Sequence, residues 1–221
     1  MTAPAGGRFI TLEGIEGAGK STVAHHVKEW LAARGIKACM TREPGGTALS
    51  ERVRAIVLER GGEFLTPVTE TLLMFAARGI HLDNLIRPAL ACGEWVVCDR
   101  FTDATRAYQG AGRGVSRDFI EALAQAVHPQ LKPDCTLLLD LPVETGLARS
   151  KKRAGDAPAD RFEAEPTQFF ERVREAYLDL AMREPERIRV IDAARPLPQV
   201  EQQIATALEA FLDSKSQASG N

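Results

Sequence analysis

The chain has 221 residues, 44% of them apolar, which is enough to bury the core of one domain. Its net charge of -2 and isoelectric point near 6.1 provide no broad cationic surface, so DNA and RNA are not expected as partners. Because no run of about eighteen apolar residues and no secretion signal occur, we expect no membrane partner. Without C-x-x-C spacing, the four cysteines predict buried thiols in a reducing cytoplasm.

Apolar, β-rich runs alternate with helical patterns along the chain. The predicted strands cover residues 8–13, 36–41, 94–99, 135–141 and 188–192. The predicted helices cover residues 20–34, 48–60, 67–91, 117–128, 143–153, 166–183 and 198–212. A kink or break is expected at Pro88, within the third helix.

This alternation predicts an α/β fold in which a five-stranded parallel sheet carries helices on both faces, forming a three-layer sandwich. The length fits one domain better than two, and we place it at residues 8–213. Flexible tails are expected at residues 1–7 and 214–221.

The segment between the first strand and the first helix has the sequence GIEGAGKS. Its glycines, lysine and serine match the G-x-x-x-x-G-K-S loop, in which backbone N–H groups surround phosphate oxygens. The order strand, loop, helix disfavours the alternative of a glycine turn that merely caps a helix. We therefore predict a P-loop NTPase-type fold whose ATP site comprises Gly14, Gly17, Ala18, Gly19, Lys20, Ser21 and Thr22.

The residues after the third strand narrow the phosphate chemistry. The sequence lacks the D-x-x-G and N-K-x-D motifs of switch GTPases. Arg100 follows Asp99, at a place where motor and transporter ATPases usually carry an acidic residue. Because arginine makes forked bonds to phosphate oxygens, Arg100 indicates a second anion and hence a nucleotide kinase.

A basic segment, KKRAGDAPADR, follows the fourth strand and its helix. The simpler interpretation of such a run is a solvated charged loop. In a phosphate-loop protein, its position instead favours a short mobile lid at residues 149–164 that brings cations to the transferring phosphoryl group.

The motifs GIEGAGKS, TREPGG, LLMFAAR, CDRFTDATRAYQG and DRFE occur in this order. With them, the sequence closely resembles bacterial thymidylate kinases from about Phe9 to Leu212. The resemblance implies phosphoryl transfer from ATP to dTMP, Mg²⁺ as cofactor and a homodimer. A kinase for UMP, CMP or AMP and a nucleotide-binding module without catalysis are the alternatives.

The resemblance also implies roles on the phosphate side of the acceptor. Arg100 and Arg54 match cations that hold the dTMP phosphate. Glu16 and Glu43 match carboxylates near the sugar and the transfer centre. The charge of Glu16 in the phosphate loop would then face the acceptor rather than ATP.

On the base side, the resemblance implies that Phe75 stacks on thymine and that Arg78 bonds its O4 edge. Thr105 and Gln109 match polar groups at the thymine edge, and Tyr108 matches the ring that excludes a ribose 2′-hydroxyl. A core phenylalanine with a solvated arginine is the alternative for the first pair.

For catalysis, the resemblance implies that Lys20, Glu16 and Arg100 act together with a lid cation, either Arg149 or Arg153. Ser21 and Asp99 are the predicted Mg²⁺ site, with Asp99 acting through water.

Overall fold

The computed structural model describes residues 6–61, 63–155 and 160–218, with side chains through residue 214. Residues 1–5 and 219–221 of the predicted tails lie outside this description. Residues 156–159 of the predicted lid lie outside it as well.

One parallel sheet organises the domain, with the strand order β2-β3-β1-β4-β5. The strands are β1 (Phe9–Glu13), β2 (Ala38–Arg42), β3 (Trp95–Asp99), β4 (Cys135–Asp140) and β5 (Ile188–Asp192). In the register, Leu12 lies opposite Asp99 on one side and Leu137 on the other. The five predicted strands and the parallel sheet are confirmed. Because the chain departs from β1 in one direction and later returns to its other side, a crevice opens at the carboxyl end of this strand.

The helices follow the predicted order. They are α1 (Lys20–Ala32), α2 (Ala48–Leu58), α3 (Pro67–His81), α4 (Arg87–Ala91), α5 (Thr102–Thr105), α6 (Arg117–Val127), α7 (Val143–Ala154), α8 (Thr167–Arg183) and α9 (Leu197–Ala218). Two π-helical turns are also present. Leu82–Ile86 joins α3 to α4, and Arg106–Gly112 continues α5.

Two differences from the predicted helices have physical causes. The break in the third predicted helix lies in the π-helical turn, and Pro88 sits in the first turn of α4, where its missing N–H is tolerated. Helix α9 continues to Ala218, beyond residue 212, where the last predicted helix ends.

Side chains of the strands alternate between two apolar layers. Trp95 and Val97 of β3 belong to the large core cluster that includes residues of α1 and α9. Val96 and Cys98 belong to a second cluster with Ile86 on the opposite face. Helical segments thus cover both faces of the sheet, as predicted for a three-layer sandwich.

The cysteines differ in exposure. Cys98 and Cys135 are buried and Cys39 is half-buried, but Cys92 is exposed. The prediction of buried thiols is wrong for Cys92 because this residue ends α4 at the surface. Within the described residues we find no helix with the length and apolarity needed to cross a membrane.

Candidate active site

A cavity of about 320 Å³ lies at the carboxyl edge of the sheet. Parallel α/β proteins bind ligands at this edge. Its walls come from the phosphate loop, the ends of β2 and β3, α3, the turn after β3 and the lid. The predicted residues that line it are Glu16, Gly17, Gly19, Lys20, Ser21, Glu43, Arg54, Arg78, Asp99, Arg100, Thr105, Tyr108, Gln109 and Arg153.

The phosphate loop is held open by backbone geometry. Gly14, Gly17 and Gly19 have φ angles of 133°, 72° and 92°, which side chains other than glycine rarely adopt. The Nζ atom of Lys20 donates to the carbonyl oxygens of Gly14 at 3.0 Å and Ile15 at 2.9 Å. Burial and the nearby cation of Arg100 lower the pKa of Lys20 to about 8. A bound phosphate would add negative charge beside Nζ and so favour the charged form of this lysine.

Three residues of the predicted ATP site lie outside the cavity lining. Ala18 is buried in the core cluster beneath the loop. Thr22 is exposed in the first turn of α1. Gly14 contributes its carbonyl oxygen to Lys20 and to Arg100, at 3.0 and 2.8 Å.

Helix α7 sits directly on the phosphate loop. A Cβ atom on Gly17 would overlap the carbonyl group of Gly146, and one on Gly146 would lie 2.6 Å from the carbonyl oxygen of Glu16. Arg153 lies about two helical turns beyond Gly146, so both residues share one face of α7. The helix thereby links the loop to the predicted lid.

Glu16 lies between Arg100 and Tyr108. Arg100 has a φ angle of 71°, and its Nη2 atom donates to Oε1 of Glu16 at 2.8 Å. The Tyr108 hydroxyl donates to Oε2 at 2.7 Å, and burial raises the pKa of Tyr108 well above its usual value, so it stays a neutral donor. The carboxylate in the phosphate loop therefore faces Arg100.

Behind Arg100 lies a buried network that the sequence did not reveal. The Tyr177 hydroxyl donates to Oε2 of Glu13 at 2.7 Å, and the Phe101 backbone N–H donates to Oε1 at 2.8 Å. Burial and the neighbouring Asp103 raise the pKa of Glu13 to about 8. Arg100 donates to the Tyr177 hydroxyl at 3.3 Å, so this network supports Arg100 from behind. The signal in the sequence was a carboxylate ending an otherwise apolar strand.

Arg78 is 3% exposed, and two of its three guanidinium nitrogens have acceptors. Its Nε atom donates to Oε2 of Glu43 at 2.7 Å, and its Nη2 atom donates to the Thr105 hydroxyl at 3.1 Å. His81 contacts the other oxygen of Glu43 at 3.1 Å. The third nitrogen of Arg78, Nη1, is buried and has no partner among the described residues. A buried donor needs an acceptor, and a ligand carbonyl in the cavity would supply one.

The structure contradicts the prediction that Phe75 stacks on the base. Phe75 is 2% exposed and packs with Ile120, and its ring stacks on that of His128 at 6.4 Å, away from the cavity lining. Met74 lines the cavity instead, one helical turn before Arg78. Phe101 lines the cavity too. Met74 lies four residues before Arg78 and therefore on the same stripe of α3, whereas Phe75, three residues before Arg78, lies on the neighbouring stripe. The four-residue spacing was the signal for Met74 in the sequence.

Gln109 and Arg54 line the cavity, and each donates a hydrogen bond to another group of the protein. The amide nitrogen of Gln109 donates to Oε1 of Glu70 at 2.8 Å, so this donor is already occupied. Arg54 donates to the Pro44 carbonyl oxygen at 2.9 Å at the cavity wall.

The two candidate lid cations differ in whether they line the cavity. Arg149 donates to the Ala193 carbonyl oxygen at 2.9 Å and does not line the cavity. Arg153 lines the cavity and keeps a side chain that is 64% exposed. Its Nη2 atom donates to the Ser150 hydroxyl at 3.2 Å. Of the two predicted lid cations, Arg153 is therefore the one that reaches the cavity.

The donor set for a metal is present at the same edge. Oδ1 of Asp99 is buried and, within the described part of the chain, has no hydrogen-bond partner. Ser21 lines the same cavity. Hydroxyl and carboxylate oxygens are ligands that Mg²⁺ prefers, so these residues fit that ion.

A family model described as "Thymidylate kinase" matches residues 12–204. The chain belongs to the thymidylate kinase family. It is 59% identical to a thymidylate kinase of Alkalilimnicola ehrlichii over 94% of this chain and 93% of that protein. It is 55% identical to one from Methylococcus capsulatus over 93% of this chain and 97% of that protein.

The crystal structure of the Ehrlichia chaffeensis thymidylate kinase is similar to the fold described above. It superposes with a TM-score of 0.74 at 33% identity, covering 92% of this chain and 99% of that one. The resemblance recognised from the ordered motifs is thus confirmed at the level of the thymidylate kinase family and its fold.

Proposed function

We propose that this chain transfers the γ-phosphoryl group of ATP to dTMP, giving dTDP and ADP. The observation that carries the proposal is that one cavity is lined by Lys20 and Ser21 of the phosphate loop and by Arg100, Arg54 and Arg78. A phosphotransferase must hold two anionic ligands side by side, whereas a nucleotide-binding module without catalysis needs one site. Family membership favours dTMP over UMP, CMP or AMP as acceptor.

On the donor side, the loop amides surround the ATP phosphates. Lys20 exchanges the carbonyl oxygens of Gly14 and Ile15 for the outer two phosphates. Ser21 and Asp99 would hold Mg²⁺, which when bound neutralises negative charge on the phosphate oxygens.

On the acceptor side, Arg100 and Arg54 bind the phosphate of dTMP. Glu16 fixes the orientation of Arg100 through the 2.8 Å bond, and Tyr108 crowds the sugar beside it. The acceptor phosphate is itself an anionic nucleophile, so the site needs no strong general base.

The base lies against the apolar side chains of Met74 and Phe101. Methionine sulfur and aromatic rings make favourable contacts with a π-system. The free Nη1 atom of Arg78 donates to O4 of thymine, an assignment supported by its burial without a partner among the described residues. Glu43 and Thr105 hold the guanidinium in place for this bond.

Arg153 supplies the cation for the transferring phosphoryl group. A positioned arginine in phosphoryl transfer contributes about 10³ to 10⁵ in rate. Through the contact of Gly146 with the phosphate loop, α7 connects Arg153 to the loop that surrounds the ATP phosphates.

The test is ADP release measured by a coupled assay with dTMP, UMP, CMP and AMP as separate acceptors. We expect turnover that depends on dTMP and is much slower with the other three. Equal rates with several acceptors would favour a less selective kinase, and ATP hydrolysis without acceptor dependence would favour the nucleotide-binding module.

We also propose a homodimer formed through α2 and α3. These two helices pack against each other, yet the chain between residues 49 and 72 exposes large apolar side chains. They are Leu49, Ile56, Phe64, Val68 and Leu72. Within each helix the residues are one or two turns apart and share a face, and a second copy would cover that face.

Sedimentation velocity tests the assembly. We expect a dimer for the unmodified chain and a monomer, folded by circular dichroism, for the Ile56→Glu, Leu72→Glu double variant. A monomeric unmodified chain at micromolar concentration would contradict the proposal.

A cytoplasmic location is also proposed, because the exposed Cys92 thiol persists in a reducing compartment.

A further inference from the structure

We infer that Glu70 is a positioning residue that connects the acceptor wall to the segment holding Arg153; the inference rests on the proposed function. Glu70 is fully buried in α3 and does not line the cavity. Its carboxylate accepts from the Gln109 amide at 2.8 Å, from Nε of Arg113 at 3.2 Å and from Arg161. This carboxylate is thus a junction, at which donors from the turn after β3 and from the lid meet.

One side of this junction is the acceptor wall. Glu70 lies one helical turn before Met74 and two turns before Arg78, so these three residues form one stripe of α3. Gln109 belongs to the π-helical turn that also carries Tyr108. Glu70 therefore fixes two cavity walls relative to each other.

The other side of the junction leads to Arg153. Oδ1 of Asp160 accepts the backbone N–H of Glu163 at 2.9 Å, which keeps the turn around Arg161 compact. Oε1 of Glu163 accepts from the Ser150 hydroxyl at 2.8 Å, and Arg153 donates to the same hydroxyl at 3.2 Å. Hydrogen bonds thus run in steps from the turn that Glu70 holds to the catalytic cation.

Charge makes the junction depend on Glu70. Arg113 has a second carboxylate partner, Glu165, at 2.7 Å, whereas the carboxylate that Arg161 contacts is that of Glu70. Removing this buried negative charge leaves Arg161 beside a neutral group, so the turn loses the ion pair that fixes it to α3. In Glu70→Gln the amide oxygen can still accept from Gln109, so the expected consequence is a misplaced Arg153 with an intact acceptor pocket.

The experiment is a double-mutant cycle on kcat, which separates coupling from independent effects. The variants are Glu70→Gln, which keeps the side-chain shape, Arg161→Met, and the combination. We expect each single change to lower kcat about tenfold and the combination to lower it no further. The dissociation constant of ATP, from isothermal titration calorimetry, and the KM for dTMP should change less than twofold.

Arg183→Met is the matched control, because Arg183 forms an exposed pair with Asp179 within α8. It should leave kcat unchanged. A kcat of Glu70→Gln within twofold of the unmodified enzyme, or losses of Glu70→Gln and Arg161→Met that multiply, would overturn the inference. If Glu70→Gln does not fold, Arg161→Met decides alone, since its side chain is 22% exposed: an unchanged kcat overturns the inference and a tenfold loss supports it.

The same assay distinguishes this inference from the proposed function. Absence of dTMP-dependent turnover in the unmodified chain would refute the function itself. Normal turnover in that chain, together with normal turnover in both single variants, would refute the role of Glu70 alone.

Discussion

Replacing Arg78 by methionine tests the assigned geometry of the acceptor pocket most directly. Methionine fills most of the volume of the arginine stem but cannot donate a hydrogen bond. In the free protein Nη1 has no partner among the described residues, so the bond to O4 forms with the ligand and is lost in the variant. A hydrogen bond to a charged group contributes roughly 1.5–3 kcal/mol. At about 1.4 kcal/mol per factor of ten, KM for dTMP should rise roughly 10- to 150-fold.

The same assay, titrated with ATP at saturating dTMP, should give a nearly unchanged KM for ATP. Selectivity for dTMP over dCMP should also fall, because the 4-amino group of cytosine is a donor and is disfavoured beside a guanidinium. Arg87→Met is the control, since Arg87 lies on the surface beyond the π-helical turn and pairs with Asp83. Equal increases in both KM values, or an unchanged KM for dTMP, would refute the assignment.

The melting temperature of the Arg78→Met variant separates binding from stability. Its ion pair with Glu43 is buried, and breaking a buried pair costs about 3–5 kcal/mol when one charge stays unpaired. The contact between His81 and the other Glu43 oxygen offsets part of this cost. A folded variant with a lower melting temperature is therefore expected, and kinetics are compared below its transition.

Three further predictions concern the base platform, the lid and the phosphate loop. Met74→Ala should raise the KM for dTMP several-fold. Phe75→Leu should lower the melting temperature without changing that KM. The reverse pattern would indicate that Phe75, not Met74, contacts the base. Arg153→Ala should lower kcat by about 10³ and Arg149→Ala far less, measured in single turnovers, and similar losses would contradict the separation of the two arginines. Because the pKa of Lys20 is lowered to about 8, its charge is present below that pH and lost above it, so kcat/KM for ATP should fall about tenfold per pH unit above pH 8. A profile flat to about pH 9.5 would speak against a titrating Lys20.

The sequence sufficed for features that depend on local chemistry. The phosphate loop was predictable because its glycines are required where the backbone has positive φ angles, as at Gly14 and Gly19. The strands were predictable because both faces of the sheet are buried, which demands continuous apolar runs. The end of α9 was mispredicted, since the polar composition after residue 212 gives little sign that the helix continues to Ala218.

Contacts between distant segments were beyond the reach of local patterns. Glu13 and Tyr177 meet across most of the chain, and no spacing announces such a pair. The choice between Met74 and Phe75 depends on the rotation of α3 by a single residue, and composition favoured the aromatic residue. Likewise, Glu43 was expected near the sugar and phosphate of the acceptor, and no spacing indicated its bonds to Arg78 and His81.

The close seat of α7 on the phosphate loop limits how the enzyme can rearrange. Gly17 and Gly146 are in backbone contact, so a rigid swing of the entire helix would pull the loop out of shape. Any travel of Arg153 must then come from the carboxyl-terminal turn of α7. That turn carries Arg153 and ends at Gly155, whose φ of 57° departs from the helical conformation. The part of α7 that contacts the phosphate loop and the part that carries Arg153 are thus about two turns apart on one continuous helix.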